Sequence, residues 1–154
     1  MFHKYLEEVN KKRIEIYKSQ LNEGATENAI AEFKNRCNDF FSEEIPEEYY
    51  NLLRTVNGIE YDGVSIYGID DTPDEMVNQH VYGFIDYNMM FYDNEWLRKY
   101  VFFGEGGISW YVYDIEEKKY YLLDCPSGSV VRECNSFDEI ICVALKEALG
   151  EEYM

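Results

Sequence analysis

The spacing of the apolar residues changes at Gly58, and this change constrains the fold more than any other feature of the chain. Upstream of it, apolar residues recur at intervals of three and four, the period of a half-buried helix. Downstream they fall into short alternating runs cut by glycine and acidic turns, the pattern of strands joined by hairpins. Helices first and a run of strands afterwards specify an α+β domain rather than an alternating α/β one.

The first stripe comprises Phe2, Tyr5, Leu6, Val9, Ile16, Tyr17 and Leu21, and Asn22-Glu23-Gly24 is expected to end that helix. Thr26 is placed to cap a second helix with Ala29, Ile30, Phe33, Cys37, Phe40 and Phe41 along one side. Pro46 suits the first position of a third helix, Glu47 and Glu48 suit its positive end, and Asn57-Gly58 suits its stop. Val64 and Ile66, extended to Tyr67 and Ile69, read as a strand, and residues 70–75 as an acidic loop. In residues 81–96 the spacing of Phe84, Ile85, Met89, Tyr92 and Trp96 favours a short helix or an irregular stretch.

Residues 100–103, 108–113, 119–124 and 130–134 then read as four strands. The turns between them are residues 104–107, 116–118 and 126–128, tight enough for an antiparallel meander. Ser136 with Glu139 three residues on forms a capping box for a last helix, which Gly150 closes. The expected architecture is α+β, with N-terminal helices, an antiparallel β-sheet meander and a C-terminal helix packed on the sheet. One domain is expected to span residues 1–154.

The charge balance narrows the choice of partner. Of the net −17, residues 1–60 carry −4 and residues 61–154 carry −13. Such a field repels nucleic acid and anionic membrane and attracts a basic protein, although acidity also serves solubility. No apolar run approaches the length of a membrane span. Four cysteines without a C-x-x-C pair, and a charged amphipathic start, suit a cytoplasmic protein with reduced thiols.

No constellation points to a cofactor, a metal or a catalytic residue. His3 and His80 are the only histidines and stand far apart. Asp70, Asp71, Asp74 and Glu75 lack the ligand order of a calcium loop. Gly104, Gly106 and Gly107 lie between strands, where a phosphate loop needs a following helix. Cys125 has no base beside it to lower its pKa. The expected role is therefore non-catalytic. A carboxylate-dependent enzyme is the competing reading, and its signature is two carboxyl groups facing one another in a pocket with a raised pKa.

For protein binding the composition is richer, because aromatic anchors ringed by polar groups concentrate binding energy. The candidate partner-binding residues are Tyr61, Asp62, Asp70, Asp71, Asp74, Glu75, Glu105 and Tyr111. If Ile108, Trp110 and Val112 face one side of their strand, Ser109, Tyr111 and Tyr113 face the other. One face then belongs to the core, and the other is free to present aromatics. The competing reading makes Trp110 and its neighbours core, and the acidic loop merely solvated.

Three stretches carry a family resemblance. Residues 45–58 (IPEEYYNLLRTVNG) hold an apolar residue and proline, a Tyr, a Leu pair and a closing Asn-Gly. Residues 101–107 (VFFGEGG), followed by Trp110-Tyr111-Val112-Tyr113-Asp114 and Tyr121-Leu122-Leu123-Asp124, form a hairpin with an aromatic-rich second strand. Residues 136–140 (SFDEI) open the last helix. In this order, over about residues 26–149, they resemble the SUKH superfamily, which includes bacterial toxin-immunity proteins and the yeast Smi/Knr cell-wall regulators. The match is weakest over residues 73–96. The resemblance implies an α+β domain without a cofactor. In the bacterial branch it implies an immunity protein that neutralises a cognate toxin, often a nuclease; in the yeast branch it implies a regulatory scaffold.

Overall fold

The computed structural model describes residues 1–151. Three helices come first: α1 (His3–Tyr17), α2 (Glu27–Phe40) and α3 (Glu47–Thr55). Strands β1 (Ile59–Tyr61) and β2 (Val64–Ile66) follow, and α4 (Phe84–Phe91) interrupts the strand series. Then come β3 (Tyr100–Glu105), β4 (Ser109–Asp114), β5 (Lys119–Asp124), β6 (Val130–Cys134) and α5 (Phe137–Ala148). The six strands lie in sequence order and each pairs antiparallel with the next, so the expected α+β meander is present.

Local chemistry explains most boundaries. The Thr26 hydroxyl accepts the Ala29 N–H at 3.2 Å, and Ser136 Oγ accepts the Glu139 N–H at 3.1 Å. Pro46 stands one position earlier than expected, as the N-cap of α3. α1 ends at Tyr17, with Lys18 in the left-handed region, and not at Asn22-Glu23-Gly24. Leu21 is nevertheless buried, on non-helical chain whose N–H reaches Asn10 Oδ1 at 2.7 Å. The turn after β3 is shorter than expected, because Gly104 and Glu105 belong to the strand. β1 is a strand that the sequence reading lacks. Asp62 (φ 48°) and Gly63 (φ 83°) form its two-residue hairpin turn, a conformation that glycine adopts without strain.

The core runs from Leu6 to Ala148. On one face of the sheet, α5 brings Phe137 against Phe103 and Tyr120, with ring centroids 5.1 and 6.2 Å apart. From α3, Tyr49 is fully buried against Phe103 and Phe84, and its hydroxyl donates to the Tyr67 carbonyl at 2.7 Å. On the opposite face, Phe91 of α4 stacks on Phe102 at 4.0 Å and meets the edge of Trp110 at 5.3 Å. Trp110 is 8% exposed and Tyr111 not at all. The alternation along β4 is as expected, but Trp110 and Tyr111 are covered on their respective faces, and Tyr113 is half-buried beside the groove at the start of α3.

Two side-chain amides complete the sheet where strands stop short. β2 pairs with β3 only at Glu105 and Gly104, which leaves the Phe102 backbone without a strand on that side. Asn88, fully buried on α4, accepts the Phe102 N–H at 2.8 Å and donates to the Phe102 carbonyl at 2.9 Å. Gln79 does the same at the outer edge of β1, accepting the Glu60 N–H at 3.0 Å and donating to its carbonyl at 2.8 Å.

Candidate protein-binding face

Residues 69–83 form a loop held at three points. Asn22, 3% exposed, donates to the carbonyls of Asn57 and Gln79 and accepts the N–H groups of Asn78 and Gln79, all within 2.7–3.1 Å. Asn57 accepts the Ile69 N–H at 2.9 Å and donates to Thr72 Oγ1 at 3.3 Å. Asp70 fixes the third point. Its two carboxylate oxygens accept the N–H groups of Ile85 and Asp86, each at 2.9 Å, where α4 begins. Gly83 permits this approach, since a Cβ there would lie 2.3 Å from Asp70 Oδ2. Burial nevertheless outweighs these bonds and raises the Asp70 pKa above its ordinary value.

The eight candidate residues divide sharply. Tyr61, Asp70 and Tyr111 are buried: Tyr61 lies in the core, Asp70 caps α4, and the Tyr111 hydroxyl donates to Glu147 of α5. Asp62, Asp71, Asp74 and Glu75 are exposed. Asp62 marks the hairpin tip, Asp71 lies 3.7 Å from Arg36 Nη1, and Asp74 and Glu75 sit in a single 3-10 turn. Glu105 is half-buried and accepts the Tyr67 hydroxyl at 3.3 Å.

Residues absent from that set extend the exposed acids into a mixed surface. Five of the twelve large apolar side chains exposed among the described residues lie between 76 and 96: Met76, Tyr82, Met89, Met90 and Trp96. Nine Asp or Glu and no Lys or Arg lie between 55 and 97, and seven of those nine are exposed, Asp86, Asp93 and Glu95 among them. Asp71, Asp74, Asp86, His80, Tyr82 and Tyr87 line a cleft of about 280 Å³ on one side of the loop. Glu32, Arg36, Asp71 and Met76 line another, of about 390 Å³, which shares Asp71 with the first. The methionine run Met89-Met90 was a usable sequence signal, since exposed Met adapts to varied apolar partners.

One carboxylate pair bears on the enzymatic alternative. Burial raises the Glu105 pKa, nearby Glu60 raises it further, and the Tyr67 hydroxyl opposes both. Ser65 lies opposite both residues and donates to Glu60. Neither carboxylate lines either cleft beside the loop. The raised value has a consequence for stability. Below the ordinary value of 4.5 the carboxyl is protonated in folded and unfolded chains alike. As pH rises the unfolded chain ionises it first, so its contribution to stability is lost through the raised native value. Glu105→Gln is therefore expected to gain stability over the parent at pH 7 and to match it more closely at pH 4. Urea denaturation at both values checks this, and an identical difference at the two would remove the assignment. The four cysteines are free, and burial raises every thiol, Cys37 to about 12.

Among the described residues no helix is long and apolar enough to cross a membrane, and no three His, Cys, Asp or Glu side chains group to hold a metal. No curated protein matches the chain. The model of the SMI1 / KNR4 family (SUKH-1) matches residues 24–142, from just before α2 into α5, and so includes the whole sheet and the loop beside it. With that match over most of its length, the chain belongs to the SMI1/KNR4 family (SUKH-1).

Proposed function

We propose that this protein is a non-catalytic binding module for a basic protein, and that it acts as the immunity protein of a cognate toxin. One observation carries the reading: the segment from 55 to 97 holds nine acids and no Lys or Arg, and displays most of those acids beside exposed apolar side chains. A toxin that cleaves nucleic acid must itself attract phosphate, so it offers the cationic surface that such a segment fits. By occupying that surface, the acidic face competes with the nucleic acid.

The test pairs the chain with the product of a neighbouring toxin gene. Co-expression is expected to restore growth to cells making the toxin. The purified complex is expected to weaken by about tenfold or more as salt rises from about 0.05 to 0.5 M, because screening shortens the reach of the surface charges. Growth of toxin-producing cells without this protein would remove the immunity reading. A complex indifferent to salt would remove its electrostatic basis. Capture of a basic partner that is harmless to cells would move the assignment to a regulatory adaptor.

A further inference from the structure

Resting on that reading, we infer that the outer face of α4, with the cleft before it, docks a basic amphipathic helix of the partner. Four exposed residues define the face: Asp86, Met89, Met90 and Asp93. They stand at i, i+3, i+4 and i+7, with Asp93 just past the end of α4, so apolar and acidic groups share one stripe. Met89 and Met90 are each more than half exposed. Unbranched and polarisable, they fill the gaps between apolar side chains of many shapes.

The cleft supplies the charged anchor. Asp71, Asp74 and Asp86 converge on it, and Tyr82 and Tyr87 form its aromatic wall, stacked with centroids 4.6 Å apart. Carboxylates beside tyrosine faces are the chemistry that holds a lysine or arginine head, through ion pairing and cation–π attraction. Its volume of about 280 Å³ admits one such side chain with water. α4 offers side chains, with its backbone bonded internally, which suits a docked helix and not an added strand. The nearest sheet edge, β1, is already covered by Gln79.

The experiment uses the whole chain and a fluorescent synthetic helix of about 18 residues built from Leu and Lys. A Ser/Lys peptide of equal length and charge is the control. The Leu/Lys helix is expected to bind about tenfold more tightly than the control. In amide NMR of the unmutated chain, its shifts are expected to cluster at residues 71–93. Replacing both methionines (M89S/M90S) is expected to reduce its binding to the level of the control peptide. D74N/D86N is expected to weaken both peptides at low salt. E43Q/E44Q, in the separate acidic groove at the start of α3, is expected to change neither. Equal binding of the two peptides, or shifts clustered on residues 43–48, would overturn the assignment. The NMR map needs no variant, so it stands even if a substitution unfolds the chain. Toxin rescue together with shifts elsewhere would sink this face alone. A correct map without toxin rescue would sink the immunity role alone.

Discussion

Asn22→Ala is expected to destabilise the protein by about 3 kcal/mol and to release the loop of residues 69–83 before the rest of the fold. Four hydrogen bonds disappear together, and each net bond contributes about 1 kcal/mol, more where a buried partner is stranded. The bonds tie together three separate segments, around residues 22, 57 and 78, and water reaches this nearly enclosed site poorly. Asn22→Asp is expected to lose most of the same stability, because the new oxygen would face the carbonyls of Asn57 and Gln79. Native-state hydrogen exchange checks the local part of the claim. The Asn78 and Gln79 amides should lose protection in Asn22→Ala while the β4 amides keep theirs. Unchanged protection at 78 and 79 would show that the loop is held by other contacts. The same variant is expected to weaken partner binding although Asn22 is buried away from the proposed face.

Asn88→Ala is expected to cost about 3–5 kcal/mol, a large share of the roughly 5–15 kcal/mol that stabilises a typical domain. It strands both backbone groups of Phe102 and removes the bond to the Phe84 carbonyl at 2.8 Å, all in fully buried surroundings. Asn88→Asp keeps the acceptor for the Phe102 N–H but points an anion at two carbonyls, so it is expected to be at least as damaging. Urea denaturation measures both variants. A loss below about 1 kcal/mol would mean that α4 has no part in completing the sheet.

These two asparagines show where sequence reading stops. The local devices were legible: Thr26, Ser136 and Glu139 act within one helical turn, and apolar spacing reports a face directly. Leu21 misled because burial continued beyond the end of α1, and spacing does not reveal which backbone carries a buried side chain. β1 escapes a periodicity argument because three residues are too few to show a period, although Asp62-Gly63 between two alternating triplets is a hairpin signal. Adjacent Asp70 and Asp71 look alike in the sequence. One is buried as a cap and the other is exposed at positive φ, and only the path of the chain separates them. Strand alternation sets Tyr111 opposite Trp110, but the cover over Tyr111 arrives with α5, from more than twenty residues away. Asn22 and Gln79 act across 57 positions, beyond any local window.

The Gln79 amide on β1 also sets how copies of this chain can associate through backbone pairing. A sheet joined at its rims to others of its kind grows without limit only if both rims accept a neighbour. Here β1 is capped, while β6 ends the sheet with Val130 and Val131 exposed. Accidental strand addition therefore halts once two β6 rims meet, and a pair forms where a fibre would otherwise grow.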